Sequence, residues 1–278
     1  MTDPGQLDAQ YGSDERLQTR IDTHRLYGLG DPDVFADITR QLLERGPAPT
    51  SVLDVGAGTG GWYRAIRRVV ADNPEYVGLD RSAGILERLQ RETAGDPRAH
   101  IVLGDAQELP FDAERFDWVG CHFMLYHVPD IQRALSQAWR VLRPGGLLAC
   151  ATNGAHAYRE LGEIGQEVRE ALGLGPAALE SVSHRFSLEN GAGFFPEPPE
   201  RIVRPGGFLF PNAEAAVRYL DSGPLRYHLG GAGGDEALYG RALQLAHDAI
   251  SARIRADGLF RVHSVGGFFV VRKSLTDA

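Results

Sequence analysis

In the first half of the chain, short apolar runs alternate with amphipathic stretches. Val52-Leu53-Asp54-Val55 is an apolar run closed by the glycine-rich turn Gly56-Ala57-Gly58-Thr59-Gly60. A run of that length bounded by glycine reads as a buried parallel strand. Beyond it, Trp62, Ile66, Val69 and Val70 recur at helical spacing, which predicts a helix over Gly61–Val70. The same reading predicts strands at Ser51–Val55, Tyr76–Leu79, His100–Leu103, Phe116–Cys121 and Gly146–Thr152, and further helices at Ser82–Arg91 and Asp130–Leu142. Ser82 and Asp130 suit N-cap positions, where a side-chain oxygen accepts the free amides of the first turn. Pro144-Gly145-Gly146 is expected to stop the last of these helices. Strict alternation of strand and helix implies a parallel sheet covered on both faces, an α/β fold.

The second half reads differently. Leu161, Ile164, Val168 and Leu172 form one stripe and predict a helix over Ala155–Leu172. Residues 173–200 are rich in glycine and proline and read as loop. Helices are expected at Asn212–Leu220 and Glu236–Arg255, and strands at Arg201–Phe210 and Phe260–Val271. Each of these two strands is interrupted by a Gly-Gly pair, a mark of a bulge or bend. The expected organisation is a helical cap over 1–48, a Rossmann-like core over 49–155, and cap helices, a lid loop and closing strands over 156–278.

Composition narrows the function classes. Lys and Arg total 29 against 37 Asp and Glu, a net charge of −8, which disfavours nucleic acid as a partner. The arginine-rich stretches (Arg64, Arg67, Arg68; Arg81, Arg88, Arg91) read as solvated helix faces. No run approaches the ~18 apolar residues of a membrane span, and the polar N-terminus lacks the apolar stretch of a signal peptide. Cys121 and Cys150 are the only cysteines, and both fall in predicted strands. Two buried thiols suit a reducing cytoplasm and exclude a disulfide framework or a cysteine zinc site. No metal is expected, and the chain is expected to be a monomer or homodimer.

The glycines alone leave the ligand open. Gly56, Gly58 and Gly61 satisfy the dinucleotide pattern, and Asp80 follows at about the spacing that pattern requires. Three features argue against a dinucleotide. Asp54 would set a carboxylate beside a pyrophosphate, a placement better suited to a cationic ligand. The unit begins near residue 50, after a helical preamble. A second acidic signature, Gly104-Asp105-Ala106-Gln107-Glu108-Leu109-Pro110-Phe111, lies downstream.

With those residues in view, the chain resembles the class I methyltransferases that use S-adenosylmethionine, of the bacterial type-11-like group. The resemblance rests on Leu53-Asp54-Val55-Gly56-Ala57-Gly58-Thr59-Gly60, Gly78-Leu79-Asp80, Gly104-Asp105-Ala106 and Phe116-Asp117-Trp118-Val119. It continues through Met124-Leu125-Tyr126-His127-Val128-Pro129-Asp130 and Arg140-Val141-Leu142-Arg143-Pro144-Gly145-Gly146. It implies a Rossmann-like fold with a mostly parallel seven-stranded sheet, plus N-terminal helices and a helical insertion. It also implies S-adenosyl-L-methionine as donor, with S-adenosyl-L-homocysteine as product.

Under that resemblance the donor-binding residues are Asp54, Gly56, Ala57, Gly58, Gly60, Asp80, Arg81, Asp105, Ala106, His122 and Tyr11. Asp54 faces the ammonium, Asp80 accepts from the ribose hydroxyls, and Asp105 with the Ala106 amide receives the adenine. His122, Phe123 and Met124 would keep water from the sulfonium. Transfer is an in-line displacement in which the enzyme mainly aligns and desolvates. A base is needed only if the acceptor still carries a proton.

Acceptor-side candidates come from segments expected over the carboxyl ends of the strands. His24, His127 and Glu189 are the candidate catalytic groups; His127 has the titration range of a base and alternatively orients its loop. Tyr27, Asn153, Phe186 and Asn190 are the candidate acceptor-binding residues, with His184–Gly191 as a lid. The expected function is methyl transfer to an O or N atom, or a C atom, of a small molecule of the secondary-metabolite kind. Methylation of ribosomal or transfer RNA, and a non-catalytic donor-binding module, are the alternatives.

Overall fold

The computed structural model describes residues 14–30, 33–175 and 182–275. Its elements run α1 (Asp14–Tyr27), β1 (Gly28–Leu29), α2 (Val34–Arg45), β2 (Ser51–Val55), α3 (Gly61–Val69), β3 (Glu75–Asp80), α4 (Ala83–Glu92) and β4 (Ala99–Leu103). They continue with β5 (Phe116–Cys121), a 3-10 turn (Leu125–His127), α5 (Ile131–Val141), β6 (Leu142–Asn153), α6 (Arg159–Ala171) and β7 (Glu200–Phe210). Last come α7 (Ala213–Asp221), α8 (Pro224–Leu229), α9 (Glu236–Asp257) and β8 (Phe260–Arg272). The sheet order is β1-β7-β8-β6-β5-β2-β3-β4. By compactness the chain divides into a strand-rich unit (Asp33–Ala155, Ser183–Val203, Gly266–Ala278) and a helical unit (Met1–Pro32, His156–Val182, Arg204–Val265).

In the strand-rich unit, β2 pairs in parallel with β3 and β5, β3 with β4, and β5 with β6. All five residues of β2 are buried, as a central strand covered on both faces must be. The last strand segment, from Gly266 on, runs antiparallel to β6, from Asn153↔Gly266 to Leu147↔Arg272. Helices α2 and α3 bury Ile38, Leu42, Trp62 and Ile66 against Val52 and Trp118. Asp33 starts α2 by accepting from the Ala36 amide at 2.9 Å, and Asp130 starts α5 by accepting from Arg133 at 2.9 Å.

The helical unit has its own core. Leu161, Ile164, Val168, Phe208, Phe210, Tyr219 and Val262 cluster with Leu225, Tyr239, Ala246 and Ile250. Gly207 and Gly267 are needed where β7 and β8 press together: a side chain there would lie 2.0 Å from the Val262 carbonyl oxygen or 2.1 Å from that of Ile202. The two Gly-Gly pairs read from the sequence thus mark close backbone approach.

Four sequence expectations change. The sheet has an eighth strand, the two-residue β1, which pairs antiparallel with Gly207 and Phe208; so short a segment has no periodicity to read. Helix α6 starts at Arg159 rather than Ala155, because Tyr158 adopts φ 61° and breaks the helical path. Ser82 makes no side-chain cap; its amide donates instead to Asp80 at 3.0 Å. Helix α8 was not anticipated, although Pro224 at its first turn is a start signal.

Candidate functional site

The turn between β2 and α3 is held by backbone. Gly56 and Ala57 amides both donate to the Leu79 carbonyl, at 2.7 and 3.0 Å. Gly56 has φ 70°, and a side chain on it would meet Met124 at 2.8 Å. Glycine is therefore required there on both backbone and contact grounds. Helix α3 follows with no side-chain cap on its first turn, so its leading amides are available to a ligand.

Two carboxylates, Asp54 and Asp80, flank this turn. Asp54 is 2 % exposed, and burial pushes its carboxyl up to about 7, with the neighbouring Asp80 charge adding to the rise. Only the Tyr76 hydroxyl, donating at 2.8 Å, pulls it back. The sequence reading missed Tyr76. It lies two residues before Gly78, which is the register partner of Asp54. A side chain on Gly78 would sit 3.1 Å from the Tyr76 ring, so the glycine leaves room for that ring to reach Asp54. An aromatic on the same strand face as a buried acid was the available signal.

Asp80 ends β3. One oxygen accepts from the Gly58 amide at 3.1 Å and the other from the Ser82 amide at 3.0 Å. Each keeps lone-pair capacity for a further donor such as a ribose hydroxyl. Asp105 accepts from the backbone amide of Gln107 at 2.8 Å and from its side chain, next to buried Ala106. Arg81 is exposed at the start of the α4 region.

His122 follows β5 and is buried, with neither ring nitrogen hydrogen-bonded among the described residues. Its ring lies 4.5 Å from Trp62 and 5.9 Å from Phe35, edge to face in each case. Burial drives its pKa down to about 3, so the imidazole is neutral at any ordinary pH. The next residue, Phe123, has φ 56°, a costly conformation for an aromatic. That kink turns the chain from the His122 cage to Met124, which fills the space left by Gly56.

These features fit a cationic, nucleoside-bearing ligand. They combine a glycine cradle, a near-neutral buried acid that a cation would ionise, a strand-end carboxylate with spare acceptor capacity, and a buried imidazole with unused nitrogens.

Other candidates of the strand-rich unit are held by local structure. His127 closes the 3-10 turn, with its ring 4.5 Å from Tyr126. Arg185 braces the same segment by donating to the carbonyls of Tyr126, Val128 and Pro129. The Asn153 carbonyl accepts from the Leu188 amide at 3.2 Å. Phe186 is fully buried, within 6.3 Å of Phe194, Phe195 and Phe269. Asn190 ties the turn by accepting from Ser187 and donating to the His184 carbonyl at 2.7 Å. Glu189 accepts from the Ala155 amide at 2.8 Å.

In the helical unit, the His24 ring centroid lies 4.8 Å from that of Phe208 and 6.5 Å from that of Tyr219, edge to face in each case. Burial of the ring lowers its pKa, and the Arg20 charge adds to the fall. Tyr27 leans on Phe210 at 5.5 Å, and Tyr158 stacks on Phe208 at 5.5 Å. Tyr11 lies outside the described residues.

A glycine turn after the first central strand, an acid ending the next, and the order β4-β3-β2-β5-β6 closed by an antiparallel β8 define the Rossmann-like class I methyltransferase fold. Residues 53–150 match the family model Methyltransf_11, described as a methyltransferase domain. A demethylmenaquinone methyltransferase of Staphylococcus aureus (strain JH9) is 43% identical over 101 residues, 36% of this chain and 42% of the relative. The chain thus spans less than half the length of the curated relatives it matches. Among solved structures, the YcgJ protein of Bacillus subtilis superposes with TM-score 0.57 at 17% identity, over 87% of this chain and 98% of that one. The BH2331 protein of Bacillus halodurans C-125 gives 0.53 at 21%, over 86% and 98%. At these identities the likeness is one of fold. Among the described residues no helix is long and apolar enough to cross a membrane.

Proposed function

We propose that this chain is an S-adenosylmethionine-dependent methyltransferase acting on a small, ring-bearing acceptor at oxygen or nitrogen, or at a ring carbon. The observation that carries the reading is the pair Asp54 and Asp80 on either side of the Gly56–Gly60 turn. The donor supplies a methyl group already activated by its sulfonium charge. The chain's part is to bind, orient and dry the site. Asp54 ionises to meet the ammonium, Asp80 accepts from the ribose hydroxyls, and Asp105 with the Ala106 amide takes the adenine. The apolar cage of Trp62, Phe35 and Phe123 excludes water on the His122 side.

The acceptor class is supported by one observation. The name of the staphylococcal relatives specifies demethylmenaquinone, itself a ring compound. The test is transfer of labelled methyl from S-adenosylmethionine to 1,4-dihydroxynaphthalene, which offers both hydroxyl and open ring-carbon positions. Labelled product supports the reading. Tight donor binding with no transfer to this probe or to a panel of phenols and aryl amines overturns it in favour of a non-catalytic donor-binding module.

A further inference from the structure

The turn that carries Asp105 is tied to helix α5 through one side chain, that of Gln107. Its Nε2 donates to both oxygens of Asp105, at 3.1 Å each, and the Gln107 backbone amide donates to Oδ1 of Asp105 at 2.8 Å. At the far end of the same side chain, Oε1 accepts from the Asp130 amide at 3.1 Å. Asp130 is the residue that caps α5 by accepting from the Arg133 amide. Arg133 in turn donates from Nε to the Gln107 carbonyl at 2.9 Å. All of these residues belong to the strand-rich unit.

The backbone around Asp105 is fixed from both sides. The Gly104 amide donates to the Asp80 carbonyl, and the Glu108 amide to the Asp105 carbonyl, both at 3.0 Å. Two helical turns beyond Arg133, Arg140 donates to the Leu109 and Phe111 carbonyls at 2.9 and 2.8 Å. Ala106 and Leu109 are buried. What the backbone leaves unset is the rotation of the Asp105 carboxylate, which is exposed. An exposed carboxylate turns among its rotamers at little cost. Gln107, half-buried and held at both ends, removes that freedom.

The way it does so leaves a specific vacancy. A carboxylate offers about four lone-pair positions. Oδ1 of Asp105 receives two donors, the backbone and side-chain nitrogens of Gln107, and Oδ2 receives the side-chain nitrogen alone. Among the described residues the remaining acceptor position is therefore on Oδ2, in a fixed direction. A ligand N–H placed there gains a charge-assisted hydrogen bond. A ligand C–H placed there leaves the position unfilled.

We infer that Gln107 is the positioning residue that makes Asp105 selective for the exocyclic amine of the donor's adenine. This rests on the donor-binding reading above. Gln107 acts through Asp105 and not on the ligand. A primary amide suits the task because it donates at one end and accepts at the other. Leucine at this place would do neither, and glutamate would meet Asp105 as a like charge.

The test is titration calorimetry of the whole protein with two ligands: S-adenosylhomocysteine, and its 6-deamino analogue, in which hydrogen replaces the exocyclic amine and the ring nitrogens are kept. The parent should prefer S-adenosylhomocysteine about tenfold or more, the worth of a hydrogen bond to a charged group. Gln107→Leu should cut that preference to about twofold or less, by weakening S-adenosylhomocysteine and leaving the analogue as it was. Gln107→Glu, which keeps the length of the side chain, should erase the preference as well. In an Asp105→Ala background, Gln107→Leu should have no further effect, because a residue that acts through another has nothing left to act on. Equal losses for both ligands, an undiminished preference in Gln107→Leu, or full additivity with Asp105→Ala would each overturn the inference. A parent that binds both ligands equally would remove Asp105 from the adenine site and the inference with it. A parent that binds neither would overturn the donor-binding reading itself.

Discussion

The turn after β2 and the pairing of the Glu160 carboxylate with the His263 imidazole are built on different plans. Around the turn, Asp105 is fixed by the Gln107 amide two residues on, Asp80 by the Ser82 amide two residues on and the Gly58 amide 22 positions back, and Asp54 by the Tyr76 hydroxyl 22 positions on. The pair in the helical unit is assembled from residues 103 positions apart, through one outlying tyrosine. Two enclosed groups beside the turn are shifted far from their ordinary values, Asp54 raised to about 7 and His122 lowered to about 3. The pair keeps its imidazole in water. A fixed, partly dry site suits a ligand of constant shape, whereas the pair is a half-buried carboxylate under an exposed imidazole.

The largest effect expected in breaking this contrast is at Gly120 in β5. A methyl group there would lie 2.2 Å from the Trp62 ring and 2.5 Å from His122. Gly120→Ala should cost about 3 kcal/mol or leave the protein unfolded, read by thermal or urea unfolding, while Gly193→Ala, whose surroundings are open, should be nearly neutral.

Next come two opposing pH effects of similar size. Asp54 holds its proton to about 7 in the fold against 3.8 ordinarily, so the folded state binds more protons in that window and stability falls as pH rises through it. His122 releases its proton down to about 3 against 6.5, so stability falls as pH drops through that window. At ~1.4 kcal/mol per pH unit, each contributes about 4 kcal/mol across its range, and between them the parent profile stays flat near pH 4–6.5. Asp54→Asn should therefore lose stability on acidification and His122→Leu should gain it. Urea midpoints across pH that keep the parent's flat profile in both variants would show that neither group is shifted by burial.

A smaller effect follows from the strand-end acid. Asp80→Ala should weaken S-adenosylhomocysteine binding by about 1–3 kcal/mol through lost charge-assisted hydrogen bonds. Unchanged calorimetric affinity would remove Asp80 from the site. Smaller again, Tyr76→Phe takes away the one hydrogen bond that lowers Asp54. Affinity near pH 7 should fall by about 1 kcal/mol and recover at higher pH as the acid ionises; a loss that persists at high pH would assign Tyr76 a packing role.

The sequence carried the strand-rich unit well because its signals are local. Apolar runs ending in Gly56 or Asp80 name both the strand and the turn that follows it, and β2 and β5 fall where the runs place them. The two Gly-Gly pairs, read as interruptions, lie instead inside the continuous strands β7 and β8. Contacts set by tertiary packing were not legible. Nothing in the order of residues says that Tyr76 will lie along Gly78 to reach Asp54. Tyr158 reads as an ordinary helix residue until its backbone is seen to leave the helix, and without that step Glu160 and His263 have no reason to be paired. Phe186, read as an acceptor contact, is instead found in an aromatic cluster with Phe194, Phe195 and Phe269.

Titration calorimetry of S-adenosylhomocysteine at pH 6 and pH 8 tests donor binding at the β2–α3 turn most directly. With Asp54 near 7 and its ionised form meeting the ligand's ammonium, affinity should rise about tenfold between those pH values, and the rise should vanish in Asp54→Asn. Well-folded protein that gives no saturable heat at either pH would contradict the account at its root.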